Sequence, residues 1–366
     1  MIKFKSNAVA IISIFILLVL VGCKSSSIDT QSEIQGNQGK QNEVTKSANG
    51  SNNITKEQEN EYELKKGTLK TDTISSNAIA ENQIKEKKEH KLYIYLPPSY
   101  NESKKKYPVI YFLHGFGDSA LGFINYTQSE LDQEFSKEPT KEFILVAVDG
   151  SNSVGGSFYV NSPIIGKWDD YTSKEVVTYI DSNYRTLAKS DSRGICGFSM
   201  GGFGALNLAF LHPDIYGAVF SMSPGVLAPG KIGDALDSWA SDNTFLKSYS
   251  LAFAYDKDYP YLKIPKRDSS KKDNELLKQW ESGFGDWDKK INAYQKLNKP
   301  LLAIGLLYGE ADSYKWISEG TEYLSDLLDK QGIKHSLSTN HNGHSIPMKV
   351  MSDYIIPFFG QHLKWE

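Results

Sequence analysis

Cysteine is scarce in this sequence of 366 residues, and its scarcity excludes several kinds of site. Only Cys23 and Cys196 are present. Two cysteines are too few for a cysteine-based metal cluster, and the H-E-x-x-H spacing of zinc hydrolases is missing. We therefore expect neither a metal nor another cofactor. Cys196 lies in the apolar run RGICGF and is expected to be a buried, unreactive packing residue.

The chain also lacks an excess of charge of either sign. It carries 41 Lys and Arg against 44 Asp and Glu, for a net charge of -3. This balance gives no electrostatic basis for binding nucleic acid. The glycine-rich stretch GFSMGGFG lacks the terminal G-K-[ST] of a phosphate-binding loop, and no G-x-G-x-x-G motif opens a βαβ unit with an acidic residue downstream. We expect no nucleic-acid partner.

No apolar run near the N-terminus has the length of an ordinary membrane span. The run from Ala8 to Val21 has about 14 residues, against the roughly 20 that a spanning helix needs. It follows two lysines and ends in LVGC, which resembles the bacterial lipobox, where the cysteine is acylated and the peptide is cleaved before it. We predict that residues 1–22 are a lipoprotein signal peptide and that Cys23 carries the lipid, such as palmitate. A simple secretory signal and an uncleaved anchor remain the alternatives.

Aromatic residues are missing between residue 24 and about residue 61, where Ser, Gln, Asn, Lys, Glu and Gly dominate. Such a segment cannot bury enough apolar surface to offset the entropy of ordering it. We predict that residues 23–63 are a flexible polar tether. Residues 64–366 would then form the folded domain, held outside the cytoplasm on the bacterial cell membrane by the lipid.

Strand-like and helix-like segments alternate after residue 64. The expected strands are KLYIYL (91–96), YPVIYFLHGFGDS (107–119), EFILVAVDG (142–150), RGICGF (193–198), YGAVFSMSPG (216–225), KPLLAIGLLYGEAD (299–312) and KHSLSTNH (334–341). The expected helices are KEVVTYIDSNY (174–184), GGFGALNLAFLHP (201–213), EGTEYLSDLLDKQG (319–332) and the segment 347–363. This pattern predicts an α/β fold with a mostly parallel sheet covered on both faces, and a site at the carboxyl ends of its strands. The long, aromatic segment 226–298 is a candidate cap.

Five glycines surround one serine in GICGFSMGGFGA, residues 194–205. The G-x-S-x-G pattern of residues 197–201 lies between an expected strand and an expected helix, which is the context of a nucleophile elbow. A side chain at Gly197 or Gly201 would clash where strand and helix approach each other. The turn would present the Ser199 hydroxyl, with the Met200 N–H facing a developing oxyanion. The alternative is a turn without chemistry.

A serine nucleophile needs a histidine base, which follows it in the chain in this arrangement. The loop HNGHS after the last expected strand offers His341 and His344. His335 lies in that strand, and His362 lies in a helical segment near the C-terminus. From the residues alone both loop histidines remain candidates, and His344 is preferred.

The acid should end the preceding strand, where LLYGEADS offers Glu310 and Asp312. We prefer the shorter Asp312, which would orient the imidazole and stabilise the imidazolium. A second oxyanion donor is expected from the loop FLHGFGDS, where the Phe116 N–H is the candidate. His114 of that loop is expected to support it through hydrogen bonds.

Several of these motifs together resemble the esterase D-like family of esterases. They are HGFGDS, SFYVNSPIIGKWDDY, GFSMGGFGAL, YGEAD and NGHS, in the family's order, over roughly residues 64–363. The family includes feruloyl and acetyl-xylan esterases, S-formylglutathione hydrolase, enterochelin esterases and the antigen 85 mycolyltransferases. The resemblance implies an α/β-hydrolase fold, a triad of Ser199, Asp312 and His344, and an oxyanion hole from the Phe116 and Met200 amides. Within KWDDY it implies a substrate-binding or packing role for Trp168 and Tyr171.

These observations favour a serine carboxylesterase that works through an acyl-enzyme, with acetyl or feruloyl esters of polysaccharide as candidate substrates. One alternative is an antigen 85-like acyltransferase that passes the acyl group to a sugar hydroxyl. Another is a surface lipoprotein that binds a ligand without turnover, against which the complete set of serine, acid and histidine argues. The segment 226–298 matches no assigned motif, so the sequence does not identify the substrate.

Overall fold

The structure, a computed structural model, describes residues 64–256, 259 and 261–365. The predicted signal peptide (1–22), the tether (23–63) and the lipidation site Cys23 lie outside the described residues. Within the described part of the chain, no helix combines the length and hydrophobicity that a membrane span requires.

Twelve strands and eleven α-helices make up the described fold. The strands are β1 (Thr68–Ser75), β2 (Glu89–Leu96), β3 (Val109–Leu113), β4 (Ile144–Val148), β5 (Ser151–Asn152), β6 (Gly155–Gly156), β7 (Asn161–Ser162), β8 (Gly166–Lys167), β9 (Arg193–Phe198), β10 (Ala218–Met222), β11 (Ala303–Gly309) and β12 (Ser336–Asn340). The α-helices are α1 (Asn77–Ala80), α2 (Ala120–Lys137), α3 (Trp168–Asp170), α4 (Val177–Asn183), α5 (Met200–Leu211), α6 (Ile232–Trp239), α7 (Asn243–Phe253), α8 (Lys271–Phe284), α9 (Trp287–Gln295), α10 (Lys315–Lys330) and α11 (Ile356–His362). Tyr171–Val176 and Met351–Ile355 are π-helical segments that lead into α4 and α11.

Eight strands form the central sheet, in the order β1-β2-β4-β3-β9-β10-β11-β12. The six from β4 to β12 in this order pair in parallel, while β1 and β2 are antiparallel at one edge. The predicted α/β fold with a mostly parallel sheet is therefore confirmed. Two short antiparallel ribbons, β5-β6 and β7-β8, lie outside this sheet.

Both faces of the sheet are covered, as the continuous apolar strands predict. In β3 every residue is buried, and alternate side chains enter different cores. Ile110 and Phe112 pack with α2 and α11 on one face. Tyr111 and Leu113 pack with α5, α10 and the inserted helices on the other. Successive side chains along β3 point to opposite faces of the sheet, so the hydrophobic core has two layers, one on each face.

The described residues of the candidate cap segment, 226–298, form the four helices α6 to α9 and connecting loops. Its aromatic side chains do not lie free on the surface. Trp239, Tyr249, Trp280, Phe284 and Trp287 are all buried in the same core layer as α5 and α10. Because these rings share one core with the sheet, the segment is an integral part of the folded domain.

Candidate active site

Ser199 stands at the sharp turn between β9 and α5, with backbone angles φ 55 and ψ -113. A positive φ is unfavourable for a residue with a side chain, and the surrounding contacts must hold it in place. A Cβ on Gly197 would lie 2.1 Å from the carbonyl oxygen of Gly201, and one on Gly201 would lie 2.0 Å from that of Leu113. Only glycine allows this approach of strand and helix, so the prediction that both positions exclude a side chain is confirmed.

Three strand ends bring Ser199, Asp312 and His344 together. The Ser199 hydroxyl lies 2.9 Å from Nε2 of His344, and Nδ1 of His344 lies 2.7 Å from Oδ2 of Asp312. The other oxygen of Asp312 accepts the Tyr314 N–H at 2.8 Å. Asp312 is fully buried and the His344 side chain is 17% exposed. Because the carboxylate accepts a hydrogen bond from Nδ1–H, the proton stays on Nδ1 and Nε2 is free to accept the proton of the serine hydroxyl.

Glu310 and His341, the alternative acid and base, pair with each other instead. His341 Nδ1 lies 2.8 Å from the Glu310 carboxylate, and the His341 side chain is 97% exposed. Glu310 also accepts a hydrogen bond from Thr339, and these two bonds lower the pKa of its carboxyl group. Neither side chain lines the cleft at Ser199. Of the two candidate pairs, the structure thus joins only Asp312 and His344 to the serine.

The residues that carry the two predicted oxyanion donors line one cavity beside Ser199. Phe116 follows β3, and Met200 opens α5, where the helix dipole favours negative charge. We find no protein acceptor for either backbone N–H within the described residues. Both residues border the cavity that Ser199 and His344 line. Two unpaired N–H donors beside a nucleophile are suited to a substrate oxygen that gains negative charge.

His114 supports the loop after β3, which carries Phe116. The Gly150 N–H donates to Nε2 of His114 at 2.9 Å, and the same Nε2 lies 3.2 Å from Oδ1 of Asp149. Nδ1 in turn donates to the Gly115 carbonyl at 2.8 Å. The ring is 2% exposed and links the loops that follow β3 and β4. The expected supporting role of His114 agrees with these contacts.

Two cavities meet at Ser199, and Phe116, Ser199 and His344 line both of them. The larger, about 680 Å³, continues along the loop after β3 and past the loop of His344. We call it the outer cleft. The smaller, about 140 Å³, lies under the inserted helices, and we call it the inner cavity. The sequence did not single out the aromatic residues of the inner cavity, which are Trp239, Phe245, Phe284, Tyr314 and Trp316. For Trp239, Phe245 and Phe284 the signal was the aromatic content of the insertion, whereas Tyr314 and Trp316 lie after β11, outside it.

Trp168 and Tyr171 do not reach either cavity. Both side chains are fully buried, with their rings 5.6 Å apart. The Trp168 indole donates to the Ile165 carbonyl, and the Tyr171 ring packs 5.5 Å from His90. The substrate-binding role that the resemblance allowed for them is therefore wrong, and they are packing residues.

Cys196 lies within β9 and is fully buried, where burial raises the pKa of its thiol. The thiolate is the reactive form of cysteine, so this side chain is unreactive, as expected. Across the described ranges, no group of three or more His, Cys, Asp or Glu side chains is placed to hold a metal ion.

This sheet, with a strained serine after β9 and an acid and a histidine after later strands, has the architecture of an α/β-hydrolase. The chain belongs to the esterase family whose sequence profile, described as "Putative esterase", matches residues 85–295. That match begins in the loop before β2 and ends with α9, so it includes Ser199 and all four inserted helices.

Curated relatives align over part of the chain only. Esterase Rv1288 of Mycobacterium tuberculosis is 33% identical over 127 residues, which are 32% of this chain and 25% of that protein. An endo-1,4-beta-xylanase/feruloyl esterase of Xylanibacter ruminicola is 25% identical over 147 residues, 38% of this chain and 20% of that protein. The match thus spans a quarter or less of the length of these relatives.

Solved structures share the fold over most of the chain. A ferulic acid esterase superposes with a TM-score of 0.58 at 18% identity, covering 81% of this chain and 99% of that one. An S-formylglutathione hydrolase from Agrobacterium tumefaciens superposes with a TM-score of 0.55 at 16% identity, covering 81% and 96%. At these identities the likeness establishes the fold.

Proposed function

We propose that this protein is a serine carboxylesterase, on the basis of the hydrogen-bonded chain from Ser199 through His344 to Asp312. His344 removes the proton of Ser199, whose oxygen attacks the ester carbonyl carbon. The carbonyl π electrons move to its oxygen, which accepts hydrogen bonds from the Phe116 and Met200 amides. On collapse the bond to the alcohol oxygen breaks, and His344 gives that oxygen its proton. Water then attacks the acyl-enzyme by the same steps and releases the acid.

The relatives support an ester of a carboxylic acid as the substrate. Membership of the esterase family agrees with the nucleophile and base described above. The Xylanibacter protein combines a xylanase with a feruloyl esterase in its name, which supports acyl groups carried by a plant polysaccharide as one substrate class. Acetyl and feruloyl esters of polysaccharide are therefore the candidates that we propose to test.

The proposal is tested by assaying the purified protein with p-nitrophenyl acetate and p-nitrophenyl butyrate, with and without a sugar acceptor. We expect release of p-nitrophenol and of an equal amount of free acid. Acyl transfer to the sugar in place of free acid would assign the protein to the acyltransferases. Ligand binding without release of p-nitrophenol would contradict the enzymatic proposal and favour a binding lipoprotein.

We also propose that Cys23 is acylated and holds the mature protein at the outer face of the cytoplasmic membrane. The support is the LVGC sequence after a short apolar run. A single fatty chain binds a membrane only marginally, whereas two or more chains anchor a protein stably. An esterase on such an anchor and a polar tether would meet substrates outside the cell.

A further inference from the structure

We infer that the inner cavity receives the acyl group and limits it to a short chain or a single unsubstituted ring, with Trp239 setting the limit. The inference rests on the proposed esterase function and narrows its substrate class. Of the two candidate acyl groups it favours acetyl over feruloyl.

The positions of the base and of the oxyanion donors decide which cavity takes which half of the ester. His344 must protonate the leaving alcohol oxygen, so the alcohol lies on the side of its loop. Ser345 and Ile346 continue that loop along the outer cleft, and neither lines the inner cavity. Met200, which carries an oxyanion donor, lines the inner cavity only. The acyl chain therefore points under the inserted helices.

The exposure of the residues that line the two cavities also places the alcohol in the outer cleft and the acyl group in the inner cavity. Tyr126, at the far end of the outer cleft, is 47% exposed, and Asp118 and Ser119 beside it are exposed as well. A bulky or polymeric alcohol can extend over these residues into solvent. Trp239, Phe284 and Trp316 of the inner cavity are 2–5% exposed, whereas Ser238 and Asp242 of its lining are exposed. A group that enters there must therefore fit against the aromatic wall.

The walls of the inner cavity hold one another in place. The Trp239 ring lies 4.7 Å from Phe245 and 5.4 Å from Trp316, centre to centre. The Trp316 indole donates to the Ser238 hydroxyl at 3.0 Å, and its ring stacks on Phe284. Rings packed on several sides cannot swing aside without losing these contacts. The size of the cavity is thus a property of the fold.

The volume of about 140 Å³ then limits the acyl group. A dry cavity of about 150 Å³ accommodates one benzene ring. A feruloyl group has such a ring and adds ring substituents and a two-carbon linker before the carbonyl, so it exceeds the space. Acetyl and butyryl groups fit. Trp239 and Trp316 are the largest side chains in the wall. Trp239 packs on Phe245 and Tyr249 of α7, so a smaller residue at its position would extend the cavity towards that helix.

The experiment compares kcat/KM for p-nitrophenyl acetate, butyrate, octanoate and ferulate, which share one leaving group. For the wild-type protein we expect acetate and butyrate to exceed octanoate and ferulate by at least about tenfold, the discrimination that a methylene in a tight pocket can give. In Trp239→Leu we expect the ratio of kcat/KM for the short esters to kcat/KM for octanoate and ferulate to fall at least about fivefold, since a wider pocket discriminates less by size. The measured quantity is this ratio and not the rate on acetate alone, because Trp239 lines the cavity that every acyl group enters.

Trp280→Leu is the matched control. Trp280 is equally buried in the inserted helices, 5.1 Å from Tyr249, but does not line the inner cavity. It should destabilise the protein without changing the acyl preference. Should Trp239→Leu fail to fold, Phe245→Leu alters the same wall at a half-buried position.

Each outcome decides between the two proposals. Equal use of ferulate and acetate by the folded wild-type protein would overturn the size limit and leave the esterase proposal standing. The size limit would also be overturned if the acyl preference stayed unchanged in both Trp239→Leu and Phe245→Leu. An equal shift of the acyl preference in the control Trp280→Leu would overturn it too. Absence of hydrolysis for every ester, together with no labelling of Ser199 by a fluorophosphonate, would overturn the esterase proposal and the size limit with it.

Discussion

At the scale of single residues, the site depends on one strained serine and on one buried carboxylate. The φ of Ser199 is tolerated because Gly197 and Gly201 let β9, α5 and β3 approach within a distance that no Cβ allows. Asp312 is fully buried, with one oxygen on the Tyr314 N–H and the other on His344. Both ends of the triad are therefore held rigidly before any substrate arrives.

Replacing the acid should distinguish the two carboxylates near β11. We expect Asp312→Asn to lower kcat by about 10⁴, because an amide at this position favours the wrong imidazole tautomer. Glu310→Gln, the matched control, should change kcat by less than about threefold, since an exposed pair contributes little. Steady-state kinetics on p-nitrophenyl butyrate provide the comparison. A larger loss in Glu310→Gln would move the acid to Glu310.

The serine and its glycines could be predicted from the sequence, since a local pattern of five residues carries the constraint. The choice between His341 and His344, or between Glu310 and Asp312, could not be settled from loop position alone. Each set has one member in an exposed pair and one in the hydrogen-bonded chain to Ser199, and only the packing of the loops after β11 and β12 separates them. For Trp168 and Tyr171 the resemblance allowed packing or substrate binding, and their complete burial away from both cavities assigns them to packing.

At the scale of elements, the short β5-β6 ribbon supports the oxyanion hole. A Cβ on Gly156 would lie 2.7 Å from the Met200 sulfur and 2.8 Å from the Phe116 ring. The residues that carry both predicted oxyanion donors thus rest on one glycine of this ribbon. Its two strands are two residues each, and the predictions from apolar pattern did not include them.

A side chain at this position should disturb the oxyanion hole more than the fold. We expect Gly156→Ala to lower kcat, by less than the roughly 10²–10³-fold that loss of a whole donor costs, with KM changing little. A boronic acid that mimics the tetrahedral intermediate should bind more weakly by a similar factor. Gly194→Ala is the control, because its Cβ would meet the Phe359 ring at 2.4 Å, and neither residue lines the outer cleft or the inner cavity. If Gly156→Ala lowers only the melting temperature, as Gly194→Ala should, the ribbon has no role in catalysis.

The parallel strands were predictable because their burial on both faces leaves continuous apolar runs, and RGICGF matches β9 residue for residue. The N-terminal strand β1 was not expected, since TLKTDTIS is polar on its exposed side and pairs at the sheet edge. Helix α2 was also missed, although Ser119 caps it and Phe123, Leu131 and Phe135 repeat at helical spacing. The four inserted helices have no motif, and only their aromatic content indicated that they would pack.

At the scale of the whole molecule, the described domain combines a fold that it shares with esterases and four inserted helices, α6 to α9, some of which form one side of the inner cavity. The family match covers residues 85–295 and includes both the elbow and the inserted helices, of which α6, α7 and α8 supply Trp239, Phe245 and Phe284 to the inner cavity. The structural likeness extends over 81% of the chain. The predicted lipid anchor at Cys23 would hold this domain at the membrane. This prediction depends on residues before the described domain.

The anchor can be tested in the intact chain. Cys23→Ser should abolish acylation and cleavage at this position while leaving esterase activity unchanged, since Ser199 and its partners all lie in the described domain. Membrane fractionation and intact mass of the mature protein provide the measurement, with Cys196→Ser as the control for the other thiol. Equal membrane partitioning of wild type and Cys23→Ser, with no acyl group on either, would show that LVGC is not a lipobox.

The most direct test of the account is the esterase activity of Ser199→Ala, measured beside labelling of the wild-type protein with a fluorophosphonate. Circular dichroism should show that the variant folds, because alanine keeps the Cβ that the turn already accommodates. We predict a loss of ester hydrolysis of about 10⁶-fold, as for triads that act as one unit, and phosphonate on Ser199 alone. A folded Ser199→Ala protein that keeps a tenth or more of the wild-type activity (roughly 1.4 kcal/mol or less in barrier), or a phosphonate found on another residue, would contradict it.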